Sequence, residues 1–333
     1  MITPRLSAVT IVLLILGSVG AVAQMSAVPP QQAAKPIRVW GYTGVQPVML
    51  RWEAAYRSEH PDVTFENKFY GAAAAAAGLY NNVADIVATG REMWTVDLMA
   101  FHWVFQYAPF GVEVLASGTD APAPSYTPVV IVNRANPINE ISMEDLDALY
   151  GSQHKAAQSN ARRWSDLGVG GALANRTIRP VGFSEDNALG VFWRLRVLKE
   201  DYKPNPASAL LRSEAEVAQR VAADPAAIGY TSGSAAAKVR GAKVIAVNDL
   251  FPSGDTIAVG SYPLARTVAL YVNRKPEERI PPEVEKFLLF CLSDPAQVEV
   301  HAEEGFVALP NQTRKRMERR IDSEWTGKDG WKQ

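Results

Sequence analysis

Two periodicities alternate along this chain. In residues 37–42, Ile37, Val39 and Gly41 alternate with Arg38, Trp40 and Tyr42, the every-second-residue pattern of a strand. In residues 46–59, Met49, Leu50, Trp52, Ala55 and Tyr56 recur at helical spacing, so an amphipathic helix is predicted there. A strand over 63–69, a helix over 72–82, a strand over 84–89 and a Trp- and Phe-rich helix over 94–106 follow. Strands that run parallel need crossovers of a dozen or so residues, and these helices supply them, so this portion reads as an α/β sheet with its connections on the faces.

Two apolar runs, 112–115 and 128–133, flank a stretch at 118–127 rich in Gly and Pro, which reads as a boundary between lobes. A second series then begins. A helix over 143–150 is opened by Ser142 with Asp145 three residues on, and is followed by a strand over 177–183, helices over 187–200 and 213–223, and strands over 227–231 and 243–247. The chain closes with a strand over 265–273, one long helix over 281–304, a short extended piece over 306–309 and a charged helix over 311–324. The six-alanine run 72–77 has two readings that stay open: it is a strong helix former, and after Gly71 it is also a helix start whose small side chains let an anion approach the backbone N–H groups.

Composition narrows the function classes. In 333 residues, 47% are hydrophobic and 21% charged, and 34 basic against 35 acidic side chains leave a net charge of -1, which offers no global field for nucleic acid or an anionic membrane. One cysteine, Cys291, excludes an internal disulfide, and with four scattered histidines no zinc-ligand spacing is present, so no metal or other cofactor is expected. Cys291 lies in an apolar helical stretch and reads as a core thiol. His102 and His301 fall in helical patterns and read as packing or surface residues rather than bases; no Walker loop, nucleophile elbow or His-Glu-x-x-His motif occurs. The chain is therefore not expected to be an enzyme.

The N-terminus predicts export. Arg5 precedes an almost wholly apolar run over 6–19, and Ala21-Val-Ala23 supplies the small residues of a cleavage site, so residues 1–23 read as a signal peptide and 24–35 as a flexible leader. No cysteine follows to carry a lipid anchor. The destination is the periplasm, or the exterior if the host lacks an outer membrane.

Several segments in fixed order then carry a resemblance. Gly41-Tyr-Thr-Gly-Val-Gln-Pro, Gly71 with its helix, Ala84-Asp-Ile with Arg91, Val129-Val-Ile-Val-Asn-Arg-Ala-Asn-Pro, Leu146-Asp-Ala-Leu-Tyr-Gly, Trp164-Ser-Asp-Leu-Gly, Ile228-Gly-Tyr, Tyr262-Pro-Leu-Ala-Arg and Glu304-Gly-Phe-Val-Ala-Leu-Pro resemble the phosphate-binding PstS-like periplasmic proteins over about residues 36–312. The resemblance implies an α/β, two-lobe, type II periplasmic binding protein fold with an interlobe cleft. It implies a first lobe made of 36–126 and 262–333 and a second of 127–261, with the chain crossing twice. It further implies a small-molecule or oxyanion ligand held by backbone amides, hydroxyls, an Arg and a proton-accepting Asp, delivery to a membrane ABC permease, no nucleic-acid partner and a monomeric state.

On that resemblance the ligand-binding candidates are Tyr42, Thr43, Ala72, Ala73, Ala74, Asp85, Thr89, Arg91, Ser184, Glu185 and Asn187. Asp85 takes the position of the family's aspartate, and its other reading is a strand-end acid tied to nearby backbone N–H groups. Arg91 reads also as a solvated or lobe-bridging residue, Thr43 as a turn residue, and Asn187 as an N-cap that would serve both roles on a cleft-facing helix. The sequence departs from the family where it becomes Gly71-Ala-Ala-Ala-Ala, losing two hydroxyls, and where Phe183-Ser-Glu-Asp-Asn-Ala-Leu replaces an Arg followed by Ser-Gly-Thr. Three functions follow for testing: capture of a small solute, phosphate or another oxyanion; a cleft-degenerate scaffold or signalling partner without a transported ligand; and, least supported, an exported hydrolase.

Overall fold

A computed structural model describes residues 35–328 apart from 124, 153–160, 185, 200–202 and 301–304. The predicted signal segment, nearly all of the leader, Glu185, His301 and the end of the helix predicted over 281–304 lie outside the described residues.

The chain builds two six-stranded sheets. The first starts with β1 (Ile37–Gly41), α1 (Gln46–Glu59), β2 (Phe65–Phe69), α2 (Ala72–Tyr80), β3 (Ile86–Ala88), α3 (Thr95–Phe105) and β4 (Phe110–Ser117). The second contains β5 (Val129–Asn133), β6 (Glu140–Ile141), α4 (Met143–Tyr150), β7 (Arg179–Phe183), α5 (Ala188–Trp193), β8 (Ala209–Leu211), α6 (Glu214–Ala223), β9 (Ala227–Thr231), α7 (Gly233–Ala237), β10 (Ala242–Val247) and α8 (Gly254–Ala258). The chain then returns to the first sheet with β11 (Arg266–Val272), α9 (Pro282–Cys291), α10 (Asp294–Val300), β12 (Phe306–Val307) and α11 (Asn311–Asp322).

Strand order in the first sheet is β12-β4-β11-β3-β1-β2, with β1 parallel to β2 and β3 and the returning β11 antiparallel to β3 and β4. In the second it is β6-β10-β5-β9-β7-β8, with β7 parallel to β8 and β9. The central strands β5 and β9 are buried at every residue, as apolar strands covered on both faces must be. One face of the first sheet packs Ile37, Val39, Val112 and Leu270 with Val48 and Trp52 of α1 and Phe287 of α9. The other packs Val87 with Ala75, Ala76 and Leu79 of α2 and Leu98 and Phe101 of α3.

Local chemistry explains most boundaries. Pro47 opens α1, where a missing N–H costs nothing, and Ser142 accepts from the Asp145 amide to cap α4. The single helix predicted over 281–304 is divided into α9 and α10, because Pro295 cannot donate to the preceding turn and Ser293 Oγ accepts from the Ala296 amide at 3.4 Å to start a new helix. The helix predicted from Asn187 is α-helical only to Trp193 and then widens into a π turn over Arg194–Leu198. The two-residue β6 and three-residue β8 are too short to show a periodicity.

Candidate functional site

Parallel strands deliver their following turns to one end of a sheet, so β1, β2 and β3 bring Tyr42–Thr43, Gly71–Ala72 and Thr89–Gly90 together at their carboxyl ends. Backbone bonds hold the cluster: the Tyr42 amide donates to Ala88 O at 2.9 Å, and the Gly71 amide to Gly41 O at 3.2 Å. Gly71 turns the chain into α2 with φ of 131°, a conformation that side-chain-bearing residues avoid. No side chain caps α2 and no acid occupies its first turn, so the amides of Ala72, Ala73 and Ala74 carry the positive end of the helix dipole without a side-chain partner. Ala73 is exposed and its two neighbours are half-buried.

Tyr42 is half-buried beside this turn, and burial pushes its phenol pKa above the ordinary value. Its ring lies against Gly90, where φ is +68° and a Cβ would stand 2.6 Å from the ring and 2.9 Å from Ser125 Oγ. Thr43 is exposed on the single 3-10 turn before α1.

The second sheet contributes the exit of β7. Asn187 Oδ1 accepts from the Leu189 amide at 2.8 Å, capping α5, and Ser184 Oγ donates to the Asp186 carboxylate. Phe183, which stands where the resemblance implies an Arg, is buried, and its amide donates to the Tyr230 hydroxyl at 3.2 Å.

A buried guanidinium joins the two halves. Arg266, at the start of β11, has a side chain only 1% exposed; it donates to Glu92 at 2.9 Å and sits 4.6 Å over the Phe192 ring of α5. The turn after β3 and the helix after β7 therefore converge on one residue. Burial opposes the Glu92 charge, but Arg266 and the more distant Arg196 outweigh it and hold the carboxyl below its ordinary range. Arg196 also donates to Pro263 O at 2.8 Å, and the Gly233 and Ser234 amides at the start of α7 donate to Thr119 O and to the Asp120 carboxylate.

Three predicted ligand residues are engaged elsewhere. Asp85 lies before β3, at the amino end of the strand, with Ile86–Ala88 between it and the convergent turns, a rise of roughly 10 Å. Its carboxylate accepts from the Arg38 amide at 2.8 Å, from Nε at 3.0 Å and from a terminal nitrogen at 2.6 Å. Burial would raise its pKa, yet these bonds and the Arg38 charge lower it. The reading as a strand-end acid tied to nearby groups is the one the geometry supports. Arg91 is 3% exposed, pairs with Asp97 at 2.8 Å, donates to Glu92 O and stacks 3.8 Å from the Trp94 ring centre, so it is neither solvated nor bridging. The Thr89 hydroxyl is fully buried and donates to Arg91 O, which leaves it a turn-forming role.

Sequence reasoning missed Glu92 and Arg266 as a pair. They are 174 positions apart and only the return of β11 beside β3 brings them together. Among the described residues no group of three or more His, Cys, Asp or Glu could hold a metal ion, and no helix is long and apolar enough to cross a membrane.

Similarity to known proteins agrees with this architecture. Residues 26–295 match the family described as PBP superfamily domain. The phosphate-binding protein PstS of Pseudomonas aeruginosa is 27% identical over 321 residues, covering 92% of this chain and 94% of its own. Among solved structures, PstS from Borrelia burgdorferi superposes with a TM-score of 0.60 at 17% identity, covering 83% of this chain and all of that one. An ABC-type phosphate transport receptor from Vibrio cholerae gives 0.56 at 19% identity, covering 82% of this chain and all of its own. At such identities the structures establish the fold, and the two mixed sheets described above share it. The chain belongs to the PBP superfamily.

Proposed function

We propose that this chain is an exported solute-binding protein that captures a small oxyanion, of the phosphate class, between the convergent strand ends and presents it to a membrane ABC permease as a monomer. The observation that carries this reading is the uncapped start of α2: amides without a side-chain partner, at the carboxyl end of parallel strands, are the arrangement in which a protein binds an anion without a metal. The naming of its relatives as phosphate-binding points to the same chemistry.

Of the predicted residues, Tyr42, Thr43, Ala72, Ala73 and Ala74 form the wall from the first sheet, and Ser184 and Asn187 the wall from the second. The guanidinium groups of Arg91 and Arg266 are each neutralised by a carboxylate, so the anion is held mainly by amide dipoles, whose bonds to a charged oxygen strengthen where water is excluded. The ligand favours the shut form only by contacts it makes with both walls at once.

Titration calorimetry with phosphate, sulfate and molybdate tests the proposal. Saturable binding of at least one, with a rise in melting temperature at millimolar ligand, is the expected result. If none binds and none shifts the melting curve, solute capture of an oxyanion is wrong.

A further inference from the structure

On the side of the first sheet that packs α2 and α3, the cover is incomplete. Between α3 and α11 runs a groove of about 650 Å³, within the range of small-molecule sites. Its floor is the solvent-side row of β4 and β11, with Glu113 opposite Ala269 in register and Tyr271 beyond them. Leu98 of α3 and Pro109 make one wall. The other is the row Arg316, Arg319 and Arg320 of α11, at spacing that places all three on one helical face above the buried Met317.

The charges in this groove are unequal. Arg316 pairs with Glu113 at 3.0 Å, while Arg320 donates to Gly111 O at 3.1 Å and lies over the Phe110 ring at 4.9 Å. Arg319 is exposed and makes no ion pair among the described residues. Like charges three and four positions apart destabilise a helix by a few tenths of a kcal/mol per pair, and of this row Arg319 is the residue to which no carboxylate is paired among the described residues. Facing it across the groove are an aliphatic side chain and an aromatic ring.

From this juxtaposition we infer that the groove binds an organic anion with a flat apolar body: the anionic group is taken by Arg319, and the body lies against Leu98 and Tyr271. This site is separate from the convergent strand ends and does not depend on the ligand proposed there.

Naphthalene-1-sulfonate serves as the probe, titrated calorimetrically into the full chain with and without millimolar inorganic phosphate. One saturable site is expected, unchanged by phosphate. Arg319→Glu, an exposed substitution, weakens it tenfold or more, and Ala269→Trp, which fills the floor, abolishes it while the melting curve reports on folding. Absence of a saturable site, equal binding by wild type and Arg319→Glu, or displacement of the probe by phosphate overturns the inference.

Discussion

Replacing Ala73 by Asp separates anion binding from helix stability, because the two respond to the same charge with opposite sign. Ala73 is the second residue of α2, exposed, and next to the amides proposed to hold the ligand. A carboxylate there interacts favourably with the helix dipole, contributing about 0.3–1 kcal/mol, which for a chain of this size raises the melting temperature by roughly 1–3 °C. The same carboxylate lies about 6 Å from an oxyanion seated on the amides. At an effective dielectric constant of about 20 each pair of unit charges then costs about 3 kcal/mol, a loss of binding of roughly a hundredfold or more. Ala73→Asn has nearly the same volume without the charge and keeps most of the affinity. The assay is phosphate titration by calorimetry alongside thermal denaturation of both variants and wild type. If Ala73→Asp binds phosphate as wild type does, the start of α2 is not the anion site and the reasoning built on it fails.

Further outcomes follow from the ionised groups. Asp85→Ala leaves oxyanion affinity unchanged but removes three hydrogen bonds to Arg38, costing about 1–2 kcal/mol in denaturant unfolding; a loss of ligand binding at full stability would return Asp85 to the site. Because its folded pKa is depressed, the Asp85 contribution is present above its unfolded value of about 3.9 and disappears as pH falls through the folded value, so the wild-type advantage over the variant shrinks below about pH 4. Glu92→Gln removes the carboxylate charge to which the buried Arg266 donates and destabilises by about 3 kcal/mol, read as a shifted denaturant midpoint; an unshifted midpoint would show that the pair does not hold the halves together. Glu53, a buried residue of α1 bonded to Asn67 at 2.7 Å, has its pKa raised by burial, with Asn67 and Arg57 offsetting only part. Its contribution is greatest below the unfolded pKa of about 4.3 and is lost as pH rises through the folded value, so Glu53→Gln is more stable than wild type at neutral pH and the difference vanishes on acidification. A pH-independent difference would contradict this.

What the sequence alone determined were those features whose causes lie within a turn or two of the residue concerned. The helix at Gln46–Glu59 follows from its apolar spacing and Pro47, the start of α4 from Ser142, and the alternation of strand and helix from two incompatible periodicities. The glycine-alanine turn at residues 71–74 was legible for the same reason, and the order of motifs along the chain carried the resemblance to its relatives. Tertiary structure alone decided which end of each strand a residue occupies and which charge it meets. Asp85 and Thr89 are four positions apart, yet the strand between them carries one to Arg38 at one edge and the other toward the convergent turns. Arg91 looked free until α3 set Asp97 beside it, and Glu92 had no partner until β11, returning antiparallel from the second sheet, brought the buried Arg266 guanidinium beside it. Such pairings depend on desolvation and on the register of strands distant in sequence, and neither is encoded by any local pattern.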